Sequence, residues 1–213
     1  MGKLVVIEGI DGSGKSTQLR LLTERLLCDE VSFSTVSFPR YDEPSSALIR
    51  MYLGGDFGTR PGDVNAYASS SFFAVDRFAS YKREPWGQFY DNGGLVLMDR
   101  YTTSNAVHQG SKLRGEERTA FLHWLYDFEF RLVGLPRPDA VIYMDINAET
   151  ALQRVQTRAE TQDIHERDSG YMRSCVECSR QAAELYGWIT VDAARGETEI
   201  HEHITALVKE VIS

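Results

Sequence analysis

Short apolar runs alternate with amphipathic stretches along almost the whole chain. Runs rich in β-branched residues predict strands at residues 3–8, 32–38, 95–98, 140–144 and 188–191. Helical periodicity predicts helices at 16–28, 48–53, 116–133, 148–158, 171–186 and 197–212, and Asp63 is the expected N-cap of a further long helix that ends near Lys82. Strands that are apolar throughout and alternate with helices form parallel sheets covered on both faces. The pattern therefore predicts one α/β domain over residues 1–213, with about five parallel strands and helices on both faces.

Composition and charge narrow the classes of partner. The 213-residue chain has a formal net charge of −8, which disfavours a nucleic-acid surface because such a surface needs a basic face. No apolar run is long enough to cross a bilayer and the N-terminus lacks a signal peptide, so we expect no membrane contact and a cytoplasmic location. Three cysteines give no disulfide framework, and the Cys175/Cys178 pair lacks the second pair that a zinc site needs.

The loop after the first predicted strand carries the strongest motif. It matches GxxxxGK[ST], and we expect its residues to bind ATP: Gly9, Ile10, Asp11, Gly12, Ser13, Gly14, Lys15, Ser16 and Thr17. Backbone N–H groups of such a loop surround phosphates, and the following helix adds its positive N-terminal end. Lys15 can reach the β- and γ-phosphates, and the Ser16 hydroxyl can ligate Mg²⁺. The motif with its strand and helix predicts a P-loop fold.

A P-loop alone leaves several activities open. The chain has no NKxD motif for reading guanine and is too short for a motor or transporter ATPase, which favours a small-molecule kinase. Asp99 ends an apolar strand at the edge where ligands bind in such sheets, and it could hold a water of the magnesium shell. Arg100 follows directly and could form a bidentate contact with a phosphate.

Further segments, taken together with the P-loop, resemble thymidylate kinase. They are Phe38-Pro39-Arg40-Tyr41, the segment 72–77 with Phe73 and Arg77, and Asp99-Arg100-Tyr101 followed by Ser104-Asn105. The resemblance covers nearly the whole chain. It implies an enzyme that transfers the γ-phosphate of ATP to dTMP with Mg²⁺, a helical lid at about 154–167, and a homodimer.

The resemblance also implies roles for individual residues. Phe73 stacks on thymine, Arg77 reaches its O4, and Arg100 holds the acceptor phosphate. The residues expected to contact dTMP are Asp11, Phe38, Arg40, Tyr41, Phe73, Arg77, Arg100, Ser104, Asn105, His108 and His165. Those expected near Mg²⁺ are Asp11, Ser16 and Glu166. His108 stands where relatives carry a larger aromatic ring against the sugar 2′ position, so we expect weaker discrimination against ribose.

The spacing of Phe73 and Arg77 independently fits a pyrimidine with a carbonyl at C4. Residues four apart share one helix face, which sets a stacking ring beside a hydrogen-bond donor. Cytosine has an amino group at that position, which would leave a buried guanidinium facing another donor.

Catalysis of phosphoryl transfer needs cations more than a general base. The expected catalytic groups are Lys15, Asp99, Arg100, Arg154 and Arg158. Gly12 lies where some relatives carry an arginine in the loop, so the lid should supply that arginine here. An arginine introduced at Gly12 should replace it only if Gly12 does not need a positive φ.

Other functions stay open from the sequence, and a different nucleoside monophosphate kinase is one of them. A deoxynucleoside kinase would need a carboxylate base for the sugar hydroxyl, and Glu8 at the end of the first strand is the candidate. A nucleotide-sensing module without turnover is a further alternative, although intact Lys15, Ser16 and Asp99 disfavour it.

The lid arginine is open to a direct test. Arg158→Ala should lower kcat by about a thousandfold, because a guanidinium that stabilises the transferring phosphoryl group is worth at least that factor. The KM for dTMP should change little, since this contact forms mainly in the transition state. Arg154→Ala, one turn away, should cost less. Steady-state kinetics at saturating ATP decide the point, and an Arg158→Ala enzyme that keeps most of its kcat would show that the arginine comes from elsewhere.

Overall fold

The protein has a five-stranded parallel sheet at its centre, as the apolar pattern predicts. The computed structural model describes residues 1–60, 62–157 and 169–213. The strands are β1 (Lys3–Glu8), β2 (Phe33–Ser37), β3 (Leu95–Asp99), β4 (Ala140–Asp145) and β5 (Ile189–Asp192). Their order in the sheet is β2-β3-β1-β4-β5, and every neighbouring pair is parallel. The central position of β1 and β3 brings their carboxyl ends to the middle of one sheet edge.

Helices surround this sheet. The helices of the described part are α1 (Lys15–Cys28), α2 (Ala47–Gly54), α3 (Ala66–Arg83), α4 (Pro85–Asp91), α5 (Thr102–Gly110), α6 (Gly115–Tyr126), α7 (Ala148–Thr157), α8 (Ser169–Tyr186) and α9 (Glu197–Ile212). Helix α1 packs against α9, and α5 packs against α3, α6 and α8. Leu4, Val6, Val96 and Ile142 are fully buried, which explains the continuous apolar runs within the inner strands β1, β3 and β4.

The start of the long helix differs from the sequence prediction. Asp63 is the N-cap expected from the sequence, but helix α3 begins at Ala66 and its N-cap is Asn65, whose side chain accepts a hydrogen bond from the Ala68 N–H at 2.8 Å. Asp63 instead accepts from the Arg60 N–H at 3.0 Å. Both side chains are good caps. The prediction is wrong because Asp63 is used in the preceding turn.

The single helix predicted at 116–133 is in fact two kinds of helix. Helix α6 ends at Tyr126, and a π-helical segment at Asp127–Leu132 follows it directly. The hydrogen bond from the Val133 N–H to the Phe128 carbonyl, 2.8 Å long, closes this wider turn. Such segments are frequent at functional sites because they redirect a side chain. The apolar periodicity continues through the segment, so the sequence does not reveal it.

Two helices have no clear sequence prediction. Helix α4 starts at Pro85, which the sequence marks as a break or a new start after the long helix, and α5 lies in a stretch with few large apolar residues. The predicted lid at 154–167 lies mostly outside the described residues, which include only its first part at the end of α7. In the described ranges, no helix is long and apolar enough to span a membrane.

Candidate active site

The loop between β1 and α1 has the backbone of a phosphate-binding loop. Gly14 adopts a left-handed conformation with φ 93° immediately before α1, and Gly12 does the same with φ 84°. A Cβ at Gly12 would lie 2.4 Å from the carbonyl oxygen of Ala151 in α7. Position 12 therefore requires glycine both for its conformation and for the close approach of α7, and it cannot take an arginine without strain.

Lys15 and Ser16 stand at the start of α1, as the motif requires. The Lys15 ammonium is buried and donates to the Ile10 carbonyl at 2.9 Å, with Asp11 Oδ1 3.8 Å away. Burial lowers the pKa of this ammonium, and the nearby Arg100 lowers it further against the opposing effect of Asp11. Ser16 is exposed in the first helical turn. Both side chains can therefore reach phosphates held by the loop.

Asp99 and Arg100 lie next to this loop because β1 and β3 pair in parallel. The register sets Ile7 beside Asp99 on one side and Ser37 beside Asp99 on the other. The Ser37 hydroxyl donates to Asp99 Oδ2 at 3.3 Å. Arg100 has φ 66°, a conformation that costs energy for a side chain other than glycine and that occurs often at functional sites.

An ion pair joins the two loops. Arg100 Nη2 donates to Asp11 Oδ1 at 2.6 Å. Burial alone would raise the pKa of the Asp11 carboxyl, but Arg100 and Lys15 outweigh it and hold the pKa well below its usual range. Burial would likewise lower the pKa of Arg100, yet Asp11 and Glu8 raise it above its ordinary value. Both groups therefore stay charged at neutral pH.

His108 continues this network toward α8. Its Nε2 lies 3.1 Å from Arg100 Nη1, and its Nδ1 lies 2.9 Å from the Tyr171 hydroxyl. Since a guanidinium can only donate, a hydrogen bond between these two atoms requires that Nε2 accepts. The contacts Asp11–Arg100–His108–Tyr171 thus link the phosphate loop to the first turns of α8.

A cavity of about 440 Å³ opens beside the ion pair. Nine residues predicted to contact dTMP line it: Asp11, Phe38, Tyr41, Phe73, Arg77, Arg100, Ser104, Asn105 and His108. Its size lies in the range of small-ligand sites, and its walls combine aromatic rings with a few polar groups. The structure therefore brings most of the predicted acceptor residues into one pocket.

Other predicted residues lie elsewhere. The Arg40 guanidinium is not part of the cavity wall, since it pairs with Glu84 at 2.9 Å. Arg154 donates to the Ala193 carbonyl at 3.0 Å. The predicted roles of Arg158, His165 and Glu166 concern positions outside the described residues.

Glu8 does not fit the role of a general base. It is fully buried and accepts hydrogen bonds from the Gly9 N–H at 2.9 Å, the Thr103 hydroxyl at 2.6 Å and the Ser104 hydroxyl at 2.8 Å. These three donors tie the carboxylate to the chain itself. The arrangement disfavours a nucleoside kinase that would deprotonate a sugar hydroxyl through Glu8.

Sequence reasoning missed several cavity residues. Gln109 and Lys112 lie one and two turns after Asn105 on the same side of the α5 region, so helical spacing could have found them once α5 was recognised. Lys112 Nζ donates to the Tyr52 hydroxyl at 2.9 Å and to the Val64 carbonyl at 3.0 Å. Burial lowers the pKa of Lys112 to about 8.

A buried carboxylate behind the cavity was missed as well. Arg77 is 2% exposed, and Glu129 of the π-helical segment is fully buried behind it. The distances from Arg77 Nε and Nη2 to the Glu129 oxygens are 2.8 and 2.6 Å. No local sequence signal connects these residues, which lie on different helices.

The two cysteines of the CxxC motif lie in α8, and their thiols have low reactivity. Cys175 and Cys178 are free and buried, and burial raises the pKa of their thiols to about 11 and about 12. Thiols of this kind are poor nucleophiles, which supports a packing role.

The fold and this site define a P-loop protein with a second ligand cavity beside its phosphate loop. Comparison with known proteins agrees with that class. Residues 7–204 match the family model for thymidylate kinase, and the chain belongs to that family.

Relatives from distant organisms show the same similarity. The chain is 32% identical to the thymidylate kinase of Mycobacterium tuberculosis over 89% of its own length and 91% of that protein. It is 26% identical to the human thymidylate kinase, with 99% and 92% covered, and 28% identical to a probable thymidylate kinase of Pyrobaculum aerophilum, with 98% and 97% covered.

The requirement for glycine at position 12 predicts a large effect of a small change. Gly12→Ala should weaken ATP binding and lower the free energy of unfolding by at least about 1–2 kcal/mol, the cost of a left-handed non-glycine residue. Gly54→Ala is the matched control, because Gly54 ends helix α2 without a positive φ and has open space around it. Urea unfolding and ATP titration measure both effects, and equal results for the two variants would contradict the assigned loop conformation. By the same reasoning, Gly12→Arg should not rescue Arg158→Ala.

Proposed function

We propose that the P-loop binds ATP and the adjoining cavity binds dTMP, so that the γ-phosphoryl group passes directly between them. The enzyme is a dTMP kinase that forms dTDP and ADP, as its membership of the thymidylate kinase family implies. The observation that supports this most strongly is the position of Arg100. Its guanidinium lines the cavity and contacts Asp11 of the phosphate loop, so it stands where an acceptor phosphate would meet the donor.

The described residues fit a reaction that needs no general base. The acceptor is a phosphate oxygen that is already largely deprotonated at neutral pH, since the second pKa of a phosphate monoester is about 6. Catalysis then depends on holding the two phosphates in line and on stabilising charge on the moving group. Arg100 would bind the acceptor phosphate and Lys15 the donor phosphates. The lid arginine Arg158 would complete this set of cations.

The oxygen ligands near the loop fit Mg²⁺. The Ser16 hydroxyl is exposed at the start of α1, and Asp99 offers a carboxylate at the neighbouring strand end. Hydroxyl, carboxylate and water oxygens are the ligands that Mg²⁺ prefers. Asp11 fits less well as a direct ligand, because Arg100 and Lys15 surround its carboxylate. When bound, Mg²⁺ would neutralise charge on the donor phosphates.

The aromatic and polar walls of the cavity fit a thymine nucleotide. Phe73 and Arg77 line the cavity one helical turn apart on α3, which supports stacking of the base beside a donor for its O4. His108 lines the cavity near Arg100, which supports its proposed position beside the sugar.

A screen of acceptors tests this function. With ATP and Mg²⁺, ADP formation should be fastest with dTMP. The reaction with dUMP should be roughly 10–200-fold slower than that with dTMP, because one small apolar group in a binding pocket contributes about that factor. Cytidine and purine monophosphates, and unphosphorylated thymidine, should react very poorly. Lys15→Ala is the control that assigns the ADP to this site, because it should abolish turnover in a folded protein. Preference for dCMP or thymidine, or ADP formation without any acceptor preference, would contradict the proposal.

We also propose a homodimer in the cytoplasm. Helix α3 carries Val75 and Phe78, which are 55% and 39% exposed and lie one turn apart, away from the cavity residues of the same helix. Exposed apolar groups of this kind are typical of contact surfaces. A second copy of this helix would cover both side chains and would hold the base-binding helix in place. Three free cysteines are in keeping with a reducing compartment.

The dimer proposal predicts that charge on this face separates the subunits. Val75→Glu should convert the dimer to a monomer in sedimentation velocity at micromolar concentration, because two carboxylates would be buried against each other. Leu27→Glu is the matched control, since Leu27 of α1 is 66% exposed on another helix. A wild-type chain that sediments as a monomer, or a Val75→Glu variant that remains a dimer, would contradict this interface.

A further inference from the structure

Glu129 lies behind the cavity and accepts hydrogen bonds from Arg77 and Asn105, two polar residues of the cavity wall. It is fully buried and lines no part of the cavity itself. Its oxygens accept four hydrogen bonds: from Arg77 Nε at 2.8 Å, Arg77 Nη2 at 2.6 Å, the Thr102 hydroxyl at 2.7 Å and Asn105 Nδ2 at 3.3 Å. Two carboxylate oxygens offer about four acceptor positions, so this side chain is saturated. Two of its three partners, Arg77 and Asn105, line the cavity.

These contacts determine the orientation of the Asn105 amide. Its Nδ2 faces two acceptors, the Ser70 carbonyl at 3.2 Å and Glu129 Oε1 at 3.3 Å. Only a nitrogen can stand opposite two acceptors, and both of its hydrogens are then used. The amide oxygen is therefore the Asn105 atom left to contact a ligand, and it is an acceptor.

The same carboxylate determines which part of Arg77 is free. Glu129 occupies Nε and one side of Nη2, and among residues 1–60, 62–157 and 169–213 no hydrogen-bond acceptor contacts Nη1. Arg77 is one of the cavity residues. Its remaining hydrogens therefore make the guanidinium a donor toward a ligand.

A donor from Arg77 next to an acceptor from Asn105 matches one edge of a pyrimidine. Thymine and uracil have an acceptor at O4 and a donor at the N3–H, whereas cytosine has a donor at its 4-amino group and an acceptor at N3. A site whose buried polar groups match one pattern rejects the other strongly, since every mismatched group loses its partner. Reversing the Asn105 amide would remove this discrimination.

We propose that Glu129 is a positioning residue that sets the hydrogen-bonding pattern of this wall and thereby selects thymine over cytosine. The π-helical segment makes this possible because it places a carboxylate, in the continuation of α6, beneath both α3 and α5. The inference rests on the proposed binding of a pyrimidine monophosphate in the cavity. It assigns a role in base selection to Glu129, a residue that does not line the cavity.

Glu129→Gln tests the proposal with almost no change in volume. Each carboxylate oxygen accepts from one Arg77 nitrogen, so the new NH₂ group faces an Arg77 donor in either orientation and displaces the guanidinium. Where the NH₂ replaces Oε1 it also faces Asn105 Nδ2, and the Asn105 amide must turn its oxygen inward and its nitrogen toward the ligand. The ratio of kcat/KM for dTMP to that for dCMP should fall at least about tenfold, mainly through the KM for dTMP, because a mismatched hydrogen-bonding group discriminates by at least that factor. The Kd for ATP should stay the same.

Thr102→Val is the matched control, because it removes one contact to Glu129 but leaves the carboxylate on Arg77 and Asn105. Its dTMP-to-dCMP ratio should equal that of the wild type. If Glu129→Gln does not fold, Glu129→Asp serves instead. It keeps the charge but is one methylene too short to reach both Arg77 and Asn105, so the ratio should fall in the same way.

The binding measurement separates this inference from the proposed function. Calorimetry gives the Kd of dTMP and of dCMP without turnover. A wild-type protein that binds dTMP but forms no ADP would contradict the kinase assignment, while the two Kd values would still decide the role of Glu129. A folded Glu129→Gln protein with an unchanged ratio of Kd values, or one that loses both ligands equally, would overturn the proposal.

Discussion

The parallel pairing of β1 with β3 is the constraint on which the site depends. Because the register places Ile7 beside Asp99, the chain leaves both strands at the same edge of the sheet. The phosphate loop and the segment after Asp99 then meet, and Asp11 and Arg100 form their ion pair at 2.6 Å. The site for the phosphoryl donor and the site for the phosphoryl acceptor come from distant parts of the chain, and they therefore meet at one boundary, the Asp11–Arg100 pair. Their separation is set by the strand spacing rather than by either loop.

Two carboxylates near this boundary are buried, and the groups that donate to them explain why they are tolerated. Glu8 and Glu129 are fully buried and accept three and four hydrogen bonds respectively. Removing one partner of a buried ion pair such as Arg77–Glu129 costs roughly 3–5 kcal/mol, although the intact pair adds little net stability over an apolar core. These residues therefore serve the geometry of the site more than the stability of the fold. Glu8 ties β1 to α5, and Glu129 ties α3, α5 and the π-helical segment together.

Sequence reasoning succeeded where the signal was local. The strand, glycine loop and helix at the N-terminus are contiguous, so the motif alone located the phosphate loop, and the apolar runs located five strands. Sequence reasoning was less successful where the structure of a segment depended on the residues that surround it in the fold. Asp63 and Asn65 are both good N-caps, and only the turn at Arg60 decides between them. Helix α5 has few large apolar residues because small and polar side chains pack on Glu8, Glu129 and the cavity, so its periodicity was hidden.

By itself, the sequence determined the fold class, the phosphate loop and the family, because these follow from hydrophobic periodicity and from residues close together in the chain. Tertiary structure alone decided which atoms of those residues face a ligand. Arg77 and Glu129 lie on different helices, and nothing in either segment shows that one side chain will hold the other. The same holds for His108, which only the packing of α5 and α8 places between Arg100 and Tyr171. The direction of a hydrogen bond is a property of the pair, and the pairs form only when distant helices pack.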